Sequence, residues 1–253
     1  MSEFGFSKNT VAVSIVSHGH CDMLPNLLRQ LAEKSFSVDH VILTHNTSSD
    51  LVLDSNEFPF KITTVTNLVP IGFGANHNQA FRFCDSDFFC VLNPDVEILE
   101  DPFDTLICCF HNVTVGVVAP LTFNSEGVLE DSVRFFPTPM SLVKKLVLGF
   151  KGTYPLESPC DLVFPDWVAG MFLLFRASVY KELHGFDKSY FLYCEDIDIC
   201  LRVWKSRKTV VLSKGASIVH NAQRDSHSNR RFFNMHLISL FRFFYKHLFR
   251  FPR

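Results

Sequence analysis

Three carboxylates fall within four consecutive positions of the chain, in the segment Glu195-Asp196-Ile197-Asp198. Negative charges this close repel one another, so the arrangement is costly unless a helix N-terminus offsets part of the charge. The aromatic residues before the segment lower the local dielectric constant, so we expect at least one raised carboxyl pKa. Such a carboxylate can accept a proton from a sugar hydroxyl. The alternative is a first helical turn without catalytic function, in which Asp198 only pairs with Arg202.

A second set of chemically competent side chains follows apolar runs elsewhere in the chain. Asn93-Pro94-Asp95 comes directly after the run Phe88–Leu92, and its carboxylate suits a divalent cation that bridges a diphosphate. His220 follows another apolar run, and a neutral imidazole there would complete a metal site with Asp95. The alternatives are a plain Asn-Pro-Asp turn and a hydrogen-bonding loop histidine.

Alternating strand and helix segments must position these residues. In the first half, apolar or alternating runs predict strands at Val11–Ser17, Val38–Thr44, Lys61–Thr66 and Phe88–Leu92. Helices are predicted between them, from an N-cap at Asp22 to Lys34 and from Gly72 to Cys84. This order implies an α/β fold with a Rossmann-like, mostly parallel central sheet flanked by helices. Ligands bind at the carboxyl ends of such strands, where the polar clusters Ser17–His20, His45–Asp50 and Asn93–Glu97 fall.

The second half is less regular. Prolines indicate a loop-rich stretch from Arg134 to Pro165, which we expect to be mobile or to face an acceptor. The remaining pattern predicts strands at Val115–Leu121, Phe172–Phe175, Thr209–Leu212 and Ser217–Val219. It predicts helices at Ala177–Leu183, Glu195–Lys205 and from Asn229 to about Phe249. The segment Gly72-Phe73-Gly74 resembles a glycine-rich turn that approaches a phosphate or nucleoside, although it matches neither the dinucleotide fingerprint nor the P-loop.

The C-terminal segment is basic and amphipathic. Between Arg224 and Arg253 there are seven Lys or Arg and one acid, in a protein with a formal net charge of −2. At about 100° per residue, one side of a helix carries the cations Arg231, Arg242, Lys246, Arg250 and Arg253. The opposite side is apolar and comprises Phe233, Leu237, Leu240, Phe241, Phe244 and Leu248. This face either packs on the core or presses into an anionic bilayer surface, so 229–253 is a candidate for peripheral membrane contact.

Composition and segment lengths bound the location and partners. Hydrophobic residues make up 47% and charged residues 20%, which is typical of a globular chain. No apolar run reaches the roughly 18 residues of a membrane span. The sequence has no N-terminal signal segment, and its cysteines form no Cys-x-x-Cys pair. We therefore expect a cytoplasmic protein, with a peripheral position at the inner face of the cytoplasmic membrane left open. No recognised nucleic-acid module occurs, so nucleic acid is not an expected partner.

Taken in chain order, these pieces resemble a family 2 glycosyltransferase of the GT-A fold, in the rhamnosyltransferase-like branch. The similarity extends from Val11 to about His247. It rests on Ser17-His18, Asn46, Gly72-Phe73-Gly74 with Asn78, Asn93-Pro94-Asp95, Gly170 before Phe172-Leu173-Leu174, Gly185-Phe186-Asp187, Glu195-Asp196-x-Asp198 and His220. The resemblance implies one GT-A domain over 1–253. Its parts are a nucleotide-sugar-binding half (1–121), an acceptor and catalytic half (122–222) and a basic, aromatic C-terminal helix (223–253).

The resemblance also implies roles at the matching positions. Asp95 and His220 match metal ligands, which implies Mn²⁺ or Mg²⁺. Asp196 matches the catalytic base, and Glu195 and Asp198 would position it or touch the acceptor. The nucleotide-sugar side comprises Ser17, His45, Asn46, Gly72, Gly74, Asn78, Asn93 and Asp95. The implied reaction is a single inverting displacement, in which Asp196 takes the acceptor proton while the metal neutralises the departing nucleoside diphosphate.

The implied substrates are dTDP-rhamnose as donor and a lipid-linked or growing surface-polysaccharide acceptor. The sequence departs from the family pattern at two of these positions. His45 stands where the family often has an Asp that binds the base, which leaves the base of the donor open. Asn93 replaces the first acid of the Asp-x-Asp motif, which leaves one carboxylate for the metal. A UDP-sugar donor (galactofuranose, glucose or N-acetylglucosamine) therefore stays open. So does a noncatalytic nucleotide- or carbohydrate-binding subunit. A nucleotidyltransferase is less favoured, because the chain has no basic, glycine-rich N-terminal loop.

Overall fold

The computed structural model describes residues 9–19, 21–47, 53–149, 152–157, 160–221 and 230–248. The strands are β1 (Val11–Ser17), β2 (Val38–His45), β3 (Lys61–Thr66), β4 (Phe88–Leu92), β5 (Val96–Glu97), β6 (Val115–Phe123), β7 (Val133–Arg134), β8 (Leu162–Val163), β9 (Trp167–Val168), β10 (Phe172–Arg176) and β11 (Thr209–His220). The helices are α1 (Leu24–Lys34), α2 (Phe73–Ala80), α3 (Phe103–Cys109), α4 (Pro139–Leu148), α5 (Ala177–Glu182), α6 (Glu195–Lys205) and α7 (Arg230–His247).

Most strands join one large mixed sheet in the order β3-β2-β1-β4-β10-β6-β11-β5, with β8 paired to β11. The first four strands run parallel to one another, and so do β6 and β11. Strand β10 is antiparallel to both of its neighbours, β4 and β6. Strands β7 and β9 form a separate antiparallel pair. The α/β fold with helices on a Rossmann-like sheet is thus confirmed, and its parallel character is strongest over β3-β2-β1-β4.

The central strands read as continuous apolar runs because helices cover both faces of the sheet. In β1, Val11, Val13 and Ile15 pack in one core cluster with the apolar residues of α1 and α3. Ala12 points to the other face and belongs to a second cluster, with residues of α2, α5 and α6. A third, smaller cluster joins α6 to α7 and includes Phe136 and Tyr190.

Several predicted elements have the bounds that the structure shows, and others differ for local reasons. The N-cap of α1 is Met23, without a side-chain hydrogen bond, so the prediction of an N-cap at Asp22 is wrong. The helix predicted from Gly72 to Cys84 is α2 followed by a 3₁₀ turn, Phe81–Phe83. The two strands predicted after Lys208 are the single strand β11, which pairs irregularly with β6 between Ser213 and Ser217.

The stretch after Arg134, which was predicted to be loop-rich from its prolines, contains the helix α4. Pro139 is the first residue of α4, where its missing N–H breaks no helical hydrogen bond. Thr138 caps this helix, because its Oγ1 accepts from the Ser141 N–H at 3.0 Å and the Ser141 Oγ accepts from the Thr138 N–H at 2.8 Å.

Parts of three predicted segments lie outside the described residues. They are His20 and residues 48–50 of the polar clusters, and residues 222–229 and 249–253 of the C-terminal segment. The division into 1–121, 122–222 and 223–253 stays a prediction. Within the described ranges, no helix combines the length and the apolar character needed to cross a bilayer.

Candidate active site

Strand ends bring the two predicted metal ligands together. Asp95 lies between β4 and β5, and His220 ends β11, where it pairs opposite Val96 of β5. The Asn221 N–H donates to the Asp95 carbonyl at 2.8 Å, which holds the two segments in register. His220 Nε2 consequently lies 3.4 Å from Asp95 Oδ2.

Glu130 is a third member of this group, and the sequence analysis missed it. Its Oε2 lies 2.9 Å from His220 Nδ1. Ninety positions separate the two residues, and no motif surrounds Glu130, so no sequence signal marks it. A carboxylate on one ring nitrogen fixes the orientation of the imidazole and favours the tautomer whose other nitrogen carries the lone pair. Here that other nitrogen, Nε2, faces Asp95.

The electrostatics of this group suit a cation. Burial lowers the pKa of His220, but the Asp95 and Glu130 carboxylates stabilise the protonated ring, because they carry negative charge and accept hydrogen bonds from it. The pKa is therefore raised above its usual value. Asp95 Oδ1 is buried and has no hydrogen-bond partner. A cavity of about 240 Å³ adjoins Asp95. Its polar lining comprises Asp22, Asp95, Glu97, Asn26 and Asn221. In the part of the chain that the structure describes, no group of three or more His, Cys, Asp or Glu could hold a metal ion unaided.

One short segment, 169–171, adjoins both the Asp95 end and the acid cluster. The Asn93 N–H donates to the Met171 carbonyl at 2.9 Å, which fixes the turn that leads to Asp95. On the other side, the Gly170 backbone hydrogen-bonds the Asp196 carboxylate. A Cβ at position 170 would lie 3.6 Å from the Asp196 Cβ. The two groups therefore flank the same segment of the chain.

The pair Glu195 and Asp196 opens α6 and carries the raised pKa that the sequence predicts. Burial and the neighbouring Asp196 charge raise the pKa of Glu195, whose Oε2 is buried without a partner. Burial also raises the pKa of Asp196, although backbone N–H groups at Ile197 and Gly170 and the Arg134 charge partly offset it. Asp196 keeps part of its surface open to solvent, whereas Glu195 is buried. Asp196 is therefore the member of the pair that an acceptor can reach.

Asp198 does not have the exposed surface that one of its two predicted roles, contact with the acceptor, requires. It is fully buried, and its carboxylate binds three basic side chains. These are Arg202 Nε at 2.7 Å, Lys246 Nζ at 2.6 Å and His247 Nε2 at 2.9 Å. Burial raises its pKa, but these partners prevail and lower it to about 2. With no exposed surface, Asp198 cannot touch an acceptor; it ties α6 to α7.

The two glycines predicted on the nucleotide side, Gly72 and Gly74, pack closely against protein. A Cβ at Gly72 would come within 2.8 Å of the Phe191 backbone, and the Phe73 N–H donates to the Phe191 carbonyl at 2.9 Å. A Cβ at Gly74 would lie 2.5 Å from the Phe186 Cβ. The small residues are thus required because α2 packs closely on the loop before α6. The approach of their backbone to a phosphate or nucleoside stays a prediction.

Asn78 also has a structural role. Its Nδ2 donates to the Phe186 carbonyl at 2.7 Å, while its Oδ1 accepts from the Phe186 N–H and the Tyr180 hydroxyl, each at 2.8 Å. A Cβ on Gly185, whose φ is +66°, would clash with the Asn78 amide. Asn78 therefore clamps the turn before Asp187, and its predicted contact with the nucleotide is not supported.

The other predicted nucleotide-side residues gather where β1 and β2 end. Asn46 lies at the centre of this group: its N–H donates to the Ser17 carbonyl at 2.8 Å, and its side chain bonds both the N–H and the carbonyl of Ile71, at 2.9 Å each. Asn67, which the sequence analysis missed, donates to Asn46 Oδ1 at 2.9 Å. His45 is buried with an unpartnered Nδ1, and burial lowers its pKa. Contact of Ser17, His45, Asn46 and Asn93 with a nucleotide stays a prediction.

Helix α7 packs one side on the core and presents apolar residues on the other. Phe243 and His247 point inward and are buried. The outward side exposes the polar Asn234 and Arg242 together with six large apolar residues, Phe233, Leu237, Ile238, Phe241, Tyr245 and Leu248. Phe241 and Tyr245 are 74% and 82% exposed. Helix α7 thus packs on the core, and membrane contact of its outward face stays a prediction.

Comparison with known proteins finds relatives among sugar transferases. The chain is 33% identical over 249 residues to the rhamnosyltransferase WbbL of Escherichia coli K12, covering 92% of each protein. It is 26% identical over 147 residues to an N-acetylglucosaminyl-diphospho-decaprenol L-rhamnosyltransferase of Mycobacterium tuberculosis, covering 53% of this chain and 47% of that protein. No protein-family model matches the chain.

Solved structures with low sequence identity share the fold. GalNAc-T7 with UDP, GalNAc and Mn²⁺ superposes with a TM-score of 0.71 at 12% identity, over 95% of this chain and 48% of that one. The mannosyltransferase PcManGT of Pyrobaculum calidifontis, in complex with GDP-Man and Mn²⁺, gives a TM-score of 0.66 at 14% identity. That match covers 95% of this chain and 65% of the mannosyltransferase. The chain thus spans about half to two thirds of the length of these structures.

Proposed function

Because this chain belongs to the rhamnosyltransferase-like branch of the family 2 glycosyltransferases, we propose that it transfers L-rhamnose from dTDP-rhamnose to a lipid-linked or growing surface-polysaccharide acceptor. The observation that carries the proposal is the likeness to a rhamnosyltransferase along nearly the whole of both chains. The diphospho-decaprenol in the name of the mycobacterial relative supports a lipid-linked diphosphate acceptor.

The proposed reaction is one inverting displacement. The acceptor hydroxyl oxygen forms a bond to the anomeric carbon as the bond from that carbon to the diphosphate oxygen breaks. Asp196 takes the hydroxyl proton, and the electron pair leaves with the nucleoside diphosphate. The raised pKa of Asp196 makes it a stronger base than an exposed aspartate, and its partial exposure lets a hydroxyl approach.

Asp95 and His220 fit a divalent cation. Asp95 offers a buried oxygen without a partner, and Glu130 orients the His220 ring so that Nε2 faces Asp95. Diphosphate oxygens and water would supply the other ligands, as is usual for Mg²⁺ and Mn²⁺. When bound, the ion would supply positive charge that stabilises the leaving diphosphate. The Mn²⁺ in two solved structures of the same fold supports this proposal.

We expect Glu130→Gln to weaken Mn²⁺ binding about 10- to 100-fold, the range for the loss of a carboxylate that orients a ligating histidine. Calorimetric titration of Mn²⁺ in the presence of nucleoside diphosphate measures this directly. Glu126→Gln is the matched control, because Glu126 is exposed and four positions away in the same loop. Equal affinities of the Glu130 variant and the wild type would remove Glu130 from the metal site.

The donor can be tested by thermal stabilisation with a panel of nucleotide sugars, first with Mn²⁺ and then with a chelator. A ligand at 100 times its Kd stabilises the folded state by about 2.7 kcal/mol, which a melting curve resolves. We expect dTDP-rhamnose to stabilise the protein, and to do so less after chelation. A UDP-sugar donor is the second candidate, favoured by the UDP in one structure of this fold. Stabilisation by UDP-sugars and not by dTDP-rhamnose would contradict the rhamnose proposal.

We propose further that the outward face of α7 contacts an anionic membrane, where a lipid-linked acceptor is presented. Exposed aromatic side chains together with a basic tail are typical of interfacial helices. The double variant Phe241→Ser, Tyr245→Ser should bind anionic vesicles at least about tenfold less, because each buried aromatic contributes about 1.5 kcal/mol or more. Sedimentation with phosphatidylglycerol vesicles measures this.

Phe36→Ser is the control for vesicle binding, since Phe36 is an exposed phenylalanine in the turn between α1 and β2. It should bind vesicles as the wild type does. If the wild type fails to sediment with the vesicles, or if the α7 variant sediments equally well, the membrane proposal is wrong.

A further inference from the structure

The backbone just before the acid pair is strained. Tyr193 and Cys194 both adopt left-handed conformations, with φ values of +70° and +65°. This conformation costs an L-residue with a Cβ about 1 to 2 kcal/mol, and helix N-caps such as Cys194 usually have extended backbone. Such strain persists only where the surrounding structure holds it. The conformation of Tyr193 and Cys194 determines the direction of the chain at the start of α6, and so the orientation of Glu195 and Asp196.

Helix α7 contacts this turn directly. The Ser239 hydroxyl donates to the Leu192 carbonyl at 2.9 Å, and the His236 ring packs edge-on against Tyr193 at 5.2 Å between centroids. Phe243 is fully buried in the cluster that contains Cys194. These contacts come from successive turns of the inward side of α7.

The same helix holds both flanks of the turn. Lys246 Nζ lies 2.7 Å from Asp187 Oδ2, before the turn, and 2.6 Å from Asp198 Oδ1, after it. His247 Nε2 adds a second bond to Asp198 Oδ1 at 2.9 Å. Since Asp198 is in the first turn of α6, these bonds fix the start of the helix that carries the acid pair.

Elements other than α7 contact the acids through the Gly170 backbone at Asp196 and Arg202 at Asp198, and they contact the loop before the turn. Helix α2 contacts it through Gly72 and Phe73 at Phe191, two residues before the strained turn. The contacts at Leu192 and Tyr193 come from α7, and so do two of the three basic partners of Asp198. Residues of α7 are therefore placed to control the orientation of Asp196.

We propose that α7 is the element that positions the acid pair, with Ser239 and Lys246 as positioning residues that keep the turn Tyr193–Cys194 in its left-handed conformation. The proposal rests on the proposed role of Asp196 as the base. It gives the C-terminal helix a part in catalysis that is separate from the membrane contact of its outward face.

The test compares Lys246→Met with Lys188→Met. Both changes remove one lysine charge and keep the aliphatic stem, but Lys188 is exposed and takes no part in the contacts described above. We expect Lys246→Met to lower kcat about 10- to 100-fold, because small misplacement of a reacting group has effects of this size. The donor KM should stay within about twofold, since donor contacts are unchanged. Lys188→Met should leave kcat unchanged. Assays are run without vesicles and well below the melting temperature of each variant.

Hydrogen exchange supplies a readout that needs no substrate. In Lys246→Met, amides in a peptide covering 190–198 should exchange faster, while those of β1 and β4 keep their wild-type rates. Ser239→Ala should change exchange in the same peptide with a smaller loss of stability. A lowered melting temperature with unchanged kcat, or unchanged exchange in 190–198 in both variants, would overturn the proposal. If the exchange changes as expected but Asp196→Asn remains fully active, the proposed base is wrong and the positioning by α7 stands.

Discussion

Asp196→Asn is expected to lower kcat by about 10²- to 10⁴-fold, the usual contribution of a general base. The amide has nearly the same shape as the carboxylate but cannot accept the acceptor proton. Donor binding should change little, because the proposed donor contacts lie at the strand ends near Asn46 and Asp95. Initial rates with saturating donor measure kcat, and thermal stabilisation by the donor measures binding in the same preparation.

Asp161→Asn is the matched control for this experiment. Asp161 is an exposed carboxylate beside β8, outside the acid pair, so its variant should keep wild-type kcat. Full activity of Asp196→Asn would remove Asp196 as the base. A wild-type protein that binds donor but never transfers sugar would instead favour the noncatalytic binding subunit.

The raised pKa of Asp196 also predicts the pH dependence of transfer. The base works only when deprotonated, so the rate falls as pH drops through its pKa. Because burial raises that pKa above its usual value of 3.8, the acid side of the profile of kcat against pH should lie above the pH at which an exposed aspartate titrates. A profile that stays flat down to pH 4 would contradict this assignment of the base.

The largest effect on stability is expected from Asp198→Asn, at about 3 kcal/mol of lost unfolding free energy. Removing a buried charge leaves the bases around it, Arg202, Lys246 and His247, without their shared carboxylate. We place the effect at the lower end of the usual range for a broken buried pair, because Lys246 is about one third exposed and water can solvate it. Denaturant unfolding of the variant and the wild type measures the difference.

The pH dependence of stability gives an independent check. The pKa of Asp198 is lowered from 3.8 to about 2 in the folded state. Its contribution to the free energy of unfolding is therefore present above about pH 4 and is lost as the pH falls toward 2. This loss amounts to about 2 kcal/mol in the wild type and should be absent in Asp198→Asn.

Asp187→Asn serves as the control for stability. Asp187 binds the same Lys246 but is about a quarter exposed, so its loss should cost about 1 kcal/mol or less. If both variants lose the same unfolding free energy, burial of Asp198 does not increase the effect of removing its charge, and the prediction is wrong.

The fold was predictable because local patterns decide most of its elements. The apolar runs at Val11–Ser17 and Phe88–Leu92 and the alternating run at Lys61–Thr66 form strands with the predicted bounds, and Glu195–Lys205 forms the predicted helix. Continuous apolar character indicates a strand covered on both faces, and helical spacing indicates the elements that cover it. Two-residue strands such as β5 and β7 carry no such pattern, because their pairing depends on partners far away in the chain.

The amino-acid sequence predicted the α/β architecture, the raised pKa of the acid pair and the association of Asp95 with His220. These predictions follow from residue type, from periodicity and from the rule that parallel strands end at one edge of a sheet. The class of protein was predicted from the resemblance of the motifs to a known family. Which of the acids face the site depends on contacts between distant parts of the chain. Asp198 is three positions after Glu195, yet it turns inward to Lys246 and His247, which are 48 and 49 residues further along the chain. Likewise, Asn78 and Gly74 contact the loop before α6, and Glu130 reaches His220. Such roles depend on which distant side chain occupies the space beside each residue, and the sequence around that residue does not contain this information.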